Sequence, residues 1–265
     1  MPRDEGTLPE EGLLLCESCG YILTGLPRDS HCPECGRPLA ESLPELRQLP
    51  DWEREDDGRH EDVRFWRTSA AVLFHPSRFY RSLATRVDRK RSRLFARSYR
   101  FGATLFLGWT GSLQLLWLFG LVSWTVPPFW ARRIYDLSNT GPIRSGLFLA
   151  IIGFVPCALL ASLSLLGMTH LVARLTAWEA RQRKLRLPHH VILRGLDYHS
   201  PHYLPVALMA LLTVGGYQLL LAAGILSDLS GPTYLLILCL EAPLAGIYLF
   251  RTYWIAMRNM MFANR

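Results

Sequence analysis

Four long apolar stretches constrain this chain more than any other feature. They run from Phe101 to Val126, from just after Pro142 to about Val172, from Ser200-Pro201 to Leu226, and from Pro232 to about Ile255. A helix rising about 1.5 Å per residue needs about 20 apolar residues to cross about 30 Å of hydrocarbon, and each stretch reaches that length. Buried helices of soluble proteins rarely stay apolar for so long, so the sequence predicts four transmembrane helices. Pro127-Pro128 stops the first, and Ser200-Pro201 reads as an N-cap with a first-turn proline for the third. Pro156 and Pro243 fall inside spans, where they are expected to kink their helices while neighbouring groups satisfy the freed carbonyls.

Charge is distributed around these stretches, not evenly along the 265 residues. Residues 1–60 carry 6 basic and 14 acidic side chains, residues 61–100 carry 11 and 3, and residues 101–265 carry 12 and 5. An acidic head, a basic collar and a long apolar body exclude one soluble globule. Apolar residues, at 50%, are too frequent for wholesale disorder. The basic residues also set an orientation. The collar, the loop holding Arg174, Arg181, Arg183, Lys184, Arg186 and Arg194, and the tail with Arg251, Arg258 and Arg265 are all strongly basic. The loop at 127–143 has Arg132, Arg133 and Asp136, and the loop at 227–231 has only Asp228. The positive-inside rule then places both termini in the cytoplasm, a parity that four spans satisfy. Trp124, Phe129, Trp130 and Tyr234 would mark the outer interface, and Trp178, Tyr198, Tyr203, Tyr253 and Trp254 the inner one.

The acidic head holds Cys16, Cys19, Cys32 and Cys35, two C-x-x-C pairs separated by twelve residues and each followed by glycine. Two such turns aim four thiolates at one ion and complete a tetrahedral sulfur site, and the glycine allows the tight turn. The spacing predicts a structural zinc site. Two disulfides are disfavoured if this end is cytosolic, and a redox C-x-x-C would need a βαβ pattern that is absent. Four thiolates leave zinc no open position, so the metal would fold the module and hydrolyse nothing. His31, beside Cys32, is superfluous as a ligand. Tyr21 to Pro27 fits a short hairpin between the knuckles. Residues Cys16 to about Arg37 resemble the short zinc ribbons with a C-x-x-C-G-Y-x-L-x-G-L core and a C-P-x-C-G second knuckle. Such ribbons commonly sit at the ends of bacterial membrane proteins, which implies a binding or structural role. Nucleic acid is not an expected partner, because phosphate contact needs a basic surface and residues 1–60 are acidic. Leu13-Leu14-Leu15 is too short for a signal-peptide core.

Residues 38–62, with Pro38, Pro44, Pro50 and the run Glu53-Arg54-Glu55-Asp56-Asp57-Gly58, read as a solvated, mobile acidic linker. In the collar, Trp66, Ala70, Leu73 and Phe74 share one helical stripe, and arginines flank the aromatics. That pattern predicts a helix lying in the membrane interface, with packing against the ribbon as the alternative. Pro76 ends it near His75, and a second short helix is expected from Ser77 to Ala84. Arg86, Arg89, Lys90, Arg91, Arg93, Arg97 and Arg100 then attract anionic lipid headgroups at about 1 kcal/mol each. The expected organisation is a zinc ribbon at 1–37, the linker at 38–62, interfacial helices and collar at 63–100, a membrane domain at 101–258 and a cytoplasmic tail at 259–265. The fold class is a small β-rich zinc ribbon followed by an all-α polytopic membrane domain with four transmembrane helices.

One carboxyl, Glu241, falls inside a span and is a functional-site hypothesis by position. Gln218 lies at a similar depth in the preceding span, so a Gln218–Glu241 hydrogen bond with a protonated carboxyl is expected, with Gln114 a second candidate partner. A proton or cation path through Glu241 is the functional alternative. Cys157 and Cys239 lie inside spans as small hydrophobes. His170, His189, His190, His199 and His202 form a loose set. A metalloenzyme using His199 and His202 would need further converging ligands, and no H-E-x-x-H supplies a base.

The order Trp66, Leu73, Pro76, Phe79, Tyr80, then several spans, with Asp197-Tyr198-His199-Ser200-Pro201-His202-Tyr203-Leu204-Pro205 opening a later one, resembles the Yip family over about residues 63–258. These are membrane proteins named for interacting with Ypt/Rab GTPases, and the likeness is to their bacterial relatives. Members usually have five spans, against four here. The resemblance implies a location in the bacterial cytoplasmic membrane, a membrane-organising or trafficking-type role, and no catalytic residues. The sequence therefore predicts a non-enzymatic membrane protein whose cytosolic zinc ribbon docks a partner or steadies an assembly. The alternatives are a small transporter or channel using Glu241 and Gln218, and a membrane metalloenzyme using His199 and His202.

Overall fold

The computed structural model describes residues 13–54, 60–85, 87–125, 142–183, 185, 187–226 and 231–264. The chain is mostly helical. Among the described residues the α-helices are α1 (Glu61–Phe74), α2 (Pro76–Ser82), α3 (Lys90–Thr125), α4 (Pro142–Gln182), α5 (His189–His199), α6 (Tyr203–Ala222) and α7 (Gly231–Met260), and a short 3-10 turn, Ser200–His202, joins α5 to α6. Among the described residues, three stretches are long and apolar enough to cross a membrane: Ala150–Gln182, His189–Leu221 and Gly231–Met260, with mean hydropathies of 2.2, 1.8 and 1.8. Their side chains are largely exposed, as hydrocarbon contact requires; Leu160, Leu163, Leu212 and Leu244 are each more than 60% accessible. These features mark an integral membrane protein. The three stretches answer to the second, third and fourth predicted spans. The first predicted span lies on α3, which is 36 residues long but is not among the three. Over residues 101–118 it mixes apolar residues with Thr104, Thr110, Ser112, Gln114 and three glycines. Val126, the 127–143 loop up to Gly141, Asp228 and the side chain of Trp124 lie outside the described residues.

Two compact units form, and they do not follow chain order. One gathers Met1–Ser98, Met168–His202 and Leu249–Arg265, and the other Tyr99–Gly167 and Tyr203–Tyr248. In the second unit, α3 and α4 approach through small residues. A Cβ added at Gly108 would lie 2.8 Å from the Cβ of Ala158, and one at Gly153 would lie 3.0 Å from Ser112 Oγ. Without a hydrophobic drive between helices in lipid, such close backbone approach supplies the packing. The Ser112 hydroxyl donates to the carbonyl of Ala150. Tyr217 stacks on Tyr234 at 3.9 Å, and Trp117 meets the Tyr234 ring edge-on at 5.2 Å. Pro156 and Pro243 both lie inside helices that continue on either side.

The first unit is built on a string of rings. Trp52 and Phe65 meet edge-to-face at 5.3 Å, Phe65 and Phe95 at 5.0 Å, and Tyr198 receives Phe95 and Phe79 at 5.2 Å each. Each such pair contributes about 0.5–1.5 kcal/mol beyond its burial. Two sequence expectations change here. Tyr198 is fully buried and so is not part of an interfacial belt, whereas Trp178 and Trp254 are 58% and 47% exposed. The segment 38–54 is not a mobile tether. It forms 3-10 turns at Leu39–Ser42, Pro44–Leu46 and Asp51–Glu53, and it buries Leu39, Arg47, Trp52 and Glu53. Its prolines fix φ for those turns, and Trp52 anchors it by donating its indole N–H to the Arg91 carbonyl at 2.9 Å.

Helix α1 starts and stops close to its predicted limits, and Pro76 opens α2. Its packing is inverted relative to a soluble amphipathic helix. Arg64, Thr68, Ser69 and Val72 are buried. Thr68 accepts the Trp52 N–H at 3.1 Å, and Arg64 donates to the Arg54 carbonyl at 2.8 Å. Val63, Trp66 and Phe74 face outward at 44%, 63% and 75% exposure, with Ala70 exposed beside them.

Candidate metal centre

The two cysteine pairs converge. All four Sγ atoms lie within 4.8 Å of one another, with Cys16–Cys35 at 3.5 Å and Cys19–Cys32 at 3.6 Å. Each knuckle is a turn closed by its glycine. Gly20 N–H donates to the Cys16 carbonyl at 2.8 Å, and Gly36 N–H to the Cys32 carbonyl at 2.9 Å, with φ of 78° and 69°. That left-handed backbone is the reason for glycine after each second cysteine. The expected β-rich ribbon does not form: among the described residues there are no strands, and isolated antiparallel bridges at Leu15–Ile22 and His31–Pro38 join the arms. Pro27, Pro33 and Pro38 lack ladder donors, so turn hydrogen bonds carry the module instead. Its small core is Cys16, Leu23, Cys32 and Leu39, with Leu14, Leu26 and Leu43 packed around it.

The cluster could hold a metal ion. A tetrahedral site with metal–sulfur bonds of about 2.3 Å needs sulfurs about 3.75 Å apart, close to the observed spacing. Cys16 and Cys32 are buried and Cys19 and Cys35 exposed, so the site opens on one side only. As thiols the ligands titrate unequally. Burial pushes Cys19 up to about 12 and also raises Cys16. At Cys32 burial acts upward too, but hydrogen bonds from the N–H groups of Cys35 and Glu34 and from the Cys19 and Cys35 side chains together outweigh it and bring the thiol down to about 7. His31 is exposed and stands outside the four.

The knuckle does not hang free. Glu17, between the first two cysteines, takes a two-pronged ion pair from Arg47 at 2.7 and 2.9 Å. The same guanidinium donates to the Leu83 carbonyl at 2.9 Å and the Asn259 carbonyl at 3.1 Å. Asn264 closes the other side. Its side-chain oxygen accepts the Leu15 N–H at 3.0 Å, and its amide nitrogen donates to the Leu15 and Ser42 carbonyls at 2.7 Å each. Its own N–H donates to Glu17 at 3.1 Å. Leu15 therefore pairs with Asn264 as it would with a neighbouring strand. Gly20 lies under Phe262, where a Cβ would sit 2.6 Å from the ring. In the tail expected as a cytoplasmic extension at 259–265, Asn259, Phe262 and Asn264 thus dock on the cysteine module and its flank, and Arg265 lies outside the described residues.

A second polar cluster lies in the same unit. Arg194, fully buried, donates to Glu53 at 2.6 Å and to the Ala84 carbonyl at 2.8 Å, and the Tyr198 hydroxyl donates to Glu53. Asp197 takes Arg89 at 2.7 Å and the Ser92 hydroxyl at 3.1 Å. Glu53 was expected in a solvated acidic run. It is 6% exposed because the adjacent Trp52 draws the segment inward, and Arg194 neutralises the carboxylate there.

Among the remaining candidates, His199 and His202 are buried with ring centroids 5.1 Å apart. His199 Nε2 is 2.9 Å from the Thr252 hydroxyl and 3.2 Å from the Leu249 carbonyl. Among the described residues, the cysteine cluster is the group in which three or more potential ligands converge. Gln114 accepts from the Tyr234 hydroxyl instead of serving Glu241. The expected Gln218–Glu241 bond does not form: Gln218 Nε2 and Glu241 Oε2 are buried without a hydrogen-bond partner among the described residues. Sequence reading missed Glu17, Arg47, Glu53 and Asn264 as site-building residues. No family model, no curated protein and no solved structure matches the chain.

Proposed function

We propose that this chain is a non-enzymatic integral membrane protein in which zinc, bound by Cys16, Cys19, Cys32 and Cys35, folds a cytoplasmic ribbon that clamps the end of the last membrane helix. The observation that carries the reading is the double tie of the first knuckle, through Glu17 to Arg47 and through Leu15 to Asn264. Sulfur spacing and the all-thiolate donor set favour zinc in a closed, structural role. On this reading α3 supplies a fourth span, both termini lie in the cytoplasm, and the setting is a bacterial cytoplasmic membrane. The exposed face of α1, with Trp66 and Phe74, rests in the membrane interface beside anionic headgroups. Tyr21 and Ile22, 40% and 48% exposed, are the ribbon surface left for a protein partner in a Yip-like organising role.

Elemental analysis of the purified protein tests the metal. One zinc per chain, falling to none when all four cysteines become serine, is the expected result. Metal retained by the four-serine variant would reveal a second site and remove the argument for a purely structural role.

Glu241 supports a second reading, a small transporter, because its Oε2 and Gln218 Nε2 are buried without hydrogen-bond partners among the described residues. Liposomes that move no ion, with Glu241→Gln matching the wild type, would eliminate it.

A further inference from the structure

A cleft of about 280 Å³ opens beside the first knuckle, walled by the ribbon, α2 and the end of α7. Arg37, Arg81, Arg258, Ser18, Ser77 and Trp254 are among the residues that line it. Two carboxylates also line it, and each already has an arginine partner. Glu17 is held by Arg47 at 2.7 Å, and Glu41 pairs with Arg37 at 3.5 Å. Arg81 and Arg258 remain, exposed and with no ion-pair partner among the described residues. The cleft therefore presents two uncompensated guanidinium groups, hydroxyl donors and one aromatic wall.

We propose that this cleft binds a phosphate group. A phosphate carries one to two negative charges and several acceptor oxygens, and planar guanidinium forks match that geometry in two-pronged fashion. The net charge left by Arg81 and Arg258 balances it. Ser18 and Ser77 supply neutral donors. Trp254 offers an apolar face to whatever the phosphate is attached to, whether the glycerol of a lipid headgroup or the organic part of a soluble phosphate ester. The site differs from a diffuse basic collar in being one concave place formed by three segments, so it should saturate at one ligand per chain.

The test is calorimetric titration of the metal-loaded full chain in neutral detergent. The probes are glycerol 3-phosphate and a short-chain phosphatidylglycerol, with added chloride as the salt control. Saturable binding of one equivalent is expected. Arg81→Ala and Arg258→Ala should each weaken it about tenfold or more, as expected for losing a charge-assisted contact. Arg28→Ala, which removes an exposed arginine outside both the cleft and the collar, should leave it unchanged. Both cleft residues are exposed, so unchanged melting temperatures will separate lost binding from lost folding. Lipid binding at least about tenfold tighter than glycerol 3-phosphate assigns the site to a headgroup, and equal affinities assign it to a soluble phosphate ester. No saturable binding of either probe overturns the proposal. So does an Arg28→Ala effect as large as that of the cleft variants, because attraction would then be general surface electrostatics.

Discussion

Replacing Asn264 by alanine should loosen the ribbon from the tail without touching a cysteine. The side chain is 3% exposed and satisfies three buried main-chain groups, the N–H and C=O of Leu15 and the C=O of Ser42. Leu15 is wholly buried, and its neighbours Cys16 and Leu14 already pair with Tyr21 and Leu23, so no main-chain substitute stands ready. Each buried group left unpaired costs about 1–3 kcal/mol, and water entering the vacated space recovers part of that. A net loss of about 2–5 kcal/mol follows for the local opening reaction. Hydrogen exchange at the Leu15 amide in metal-loaded protein should then speed up by about 30-fold to a few thousand-fold, at about 1.4 kcal/mol per decade. Asn264→Asp should be no better, since a carboxylate cannot donate to the two carbonyls. If Leu15 exchange in Asn264→Ala changes by less than about threefold, the amide does not hold the ribbon and the clamp is misassigned.

Glu53→Ala leaves the Arg194 guanidinium buried without its carboxylate, so it should cost about 3–5 kcal/mol; a melting temperature equal to wild type would contradict that. Metal affinity should fall with pH, because each ligand must be a thiolate and protons compete for it. Cys32 sits near 7 and Cys19 near 12, so the fall should steepen below about 7, where Cys32 also takes up a proton. A competition titration with a chromogenic chelator between pH 6 and 8 checks this, and affinity independent of pH would rule out an all-thiolate site.

The four-cysteine cluster was legible because C-x-x-C spacing is local: four residues fix each knuckle whatever the rest of the chain does. Three membrane helices were legible because hydropathy is a property of a continuous stretch. Their lengths were less so. α4 runs about ten residues past Val172 because Leu175, Ala177, Trp178 and Ala180 are good enough helix formers to carry the helix into polar sequence. The clamp was invisible for the opposite reason. Glu17 and Arg47 are 30 residues apart, Leu15 and Asn264 are 249, and no periodicity links them. Glu53 looked like part of a solvated acidic run because its partner Arg194 lies 141 residues away. The Gln218–Glu241 pair failed because equal depth in two helices does not fix which way each faces. Composition alone made residues 38–62 look mobile, whereas within 38–54 Leu39, Arg47, Trp52 and Glu53 are buried and dock the segment.

The central claim is that the metal-folded ribbon holds the end of α7. Hydrogen exchange across residues 259–264, measured before and after stripping the metal with a chelator, addresses it most directly. The account predicts strong protection with metal bound and at least a tenfold loss of protection when it is removed, restored on adding zinc back. Unchanged protection of 259–264 in metal-free protein would contradict it.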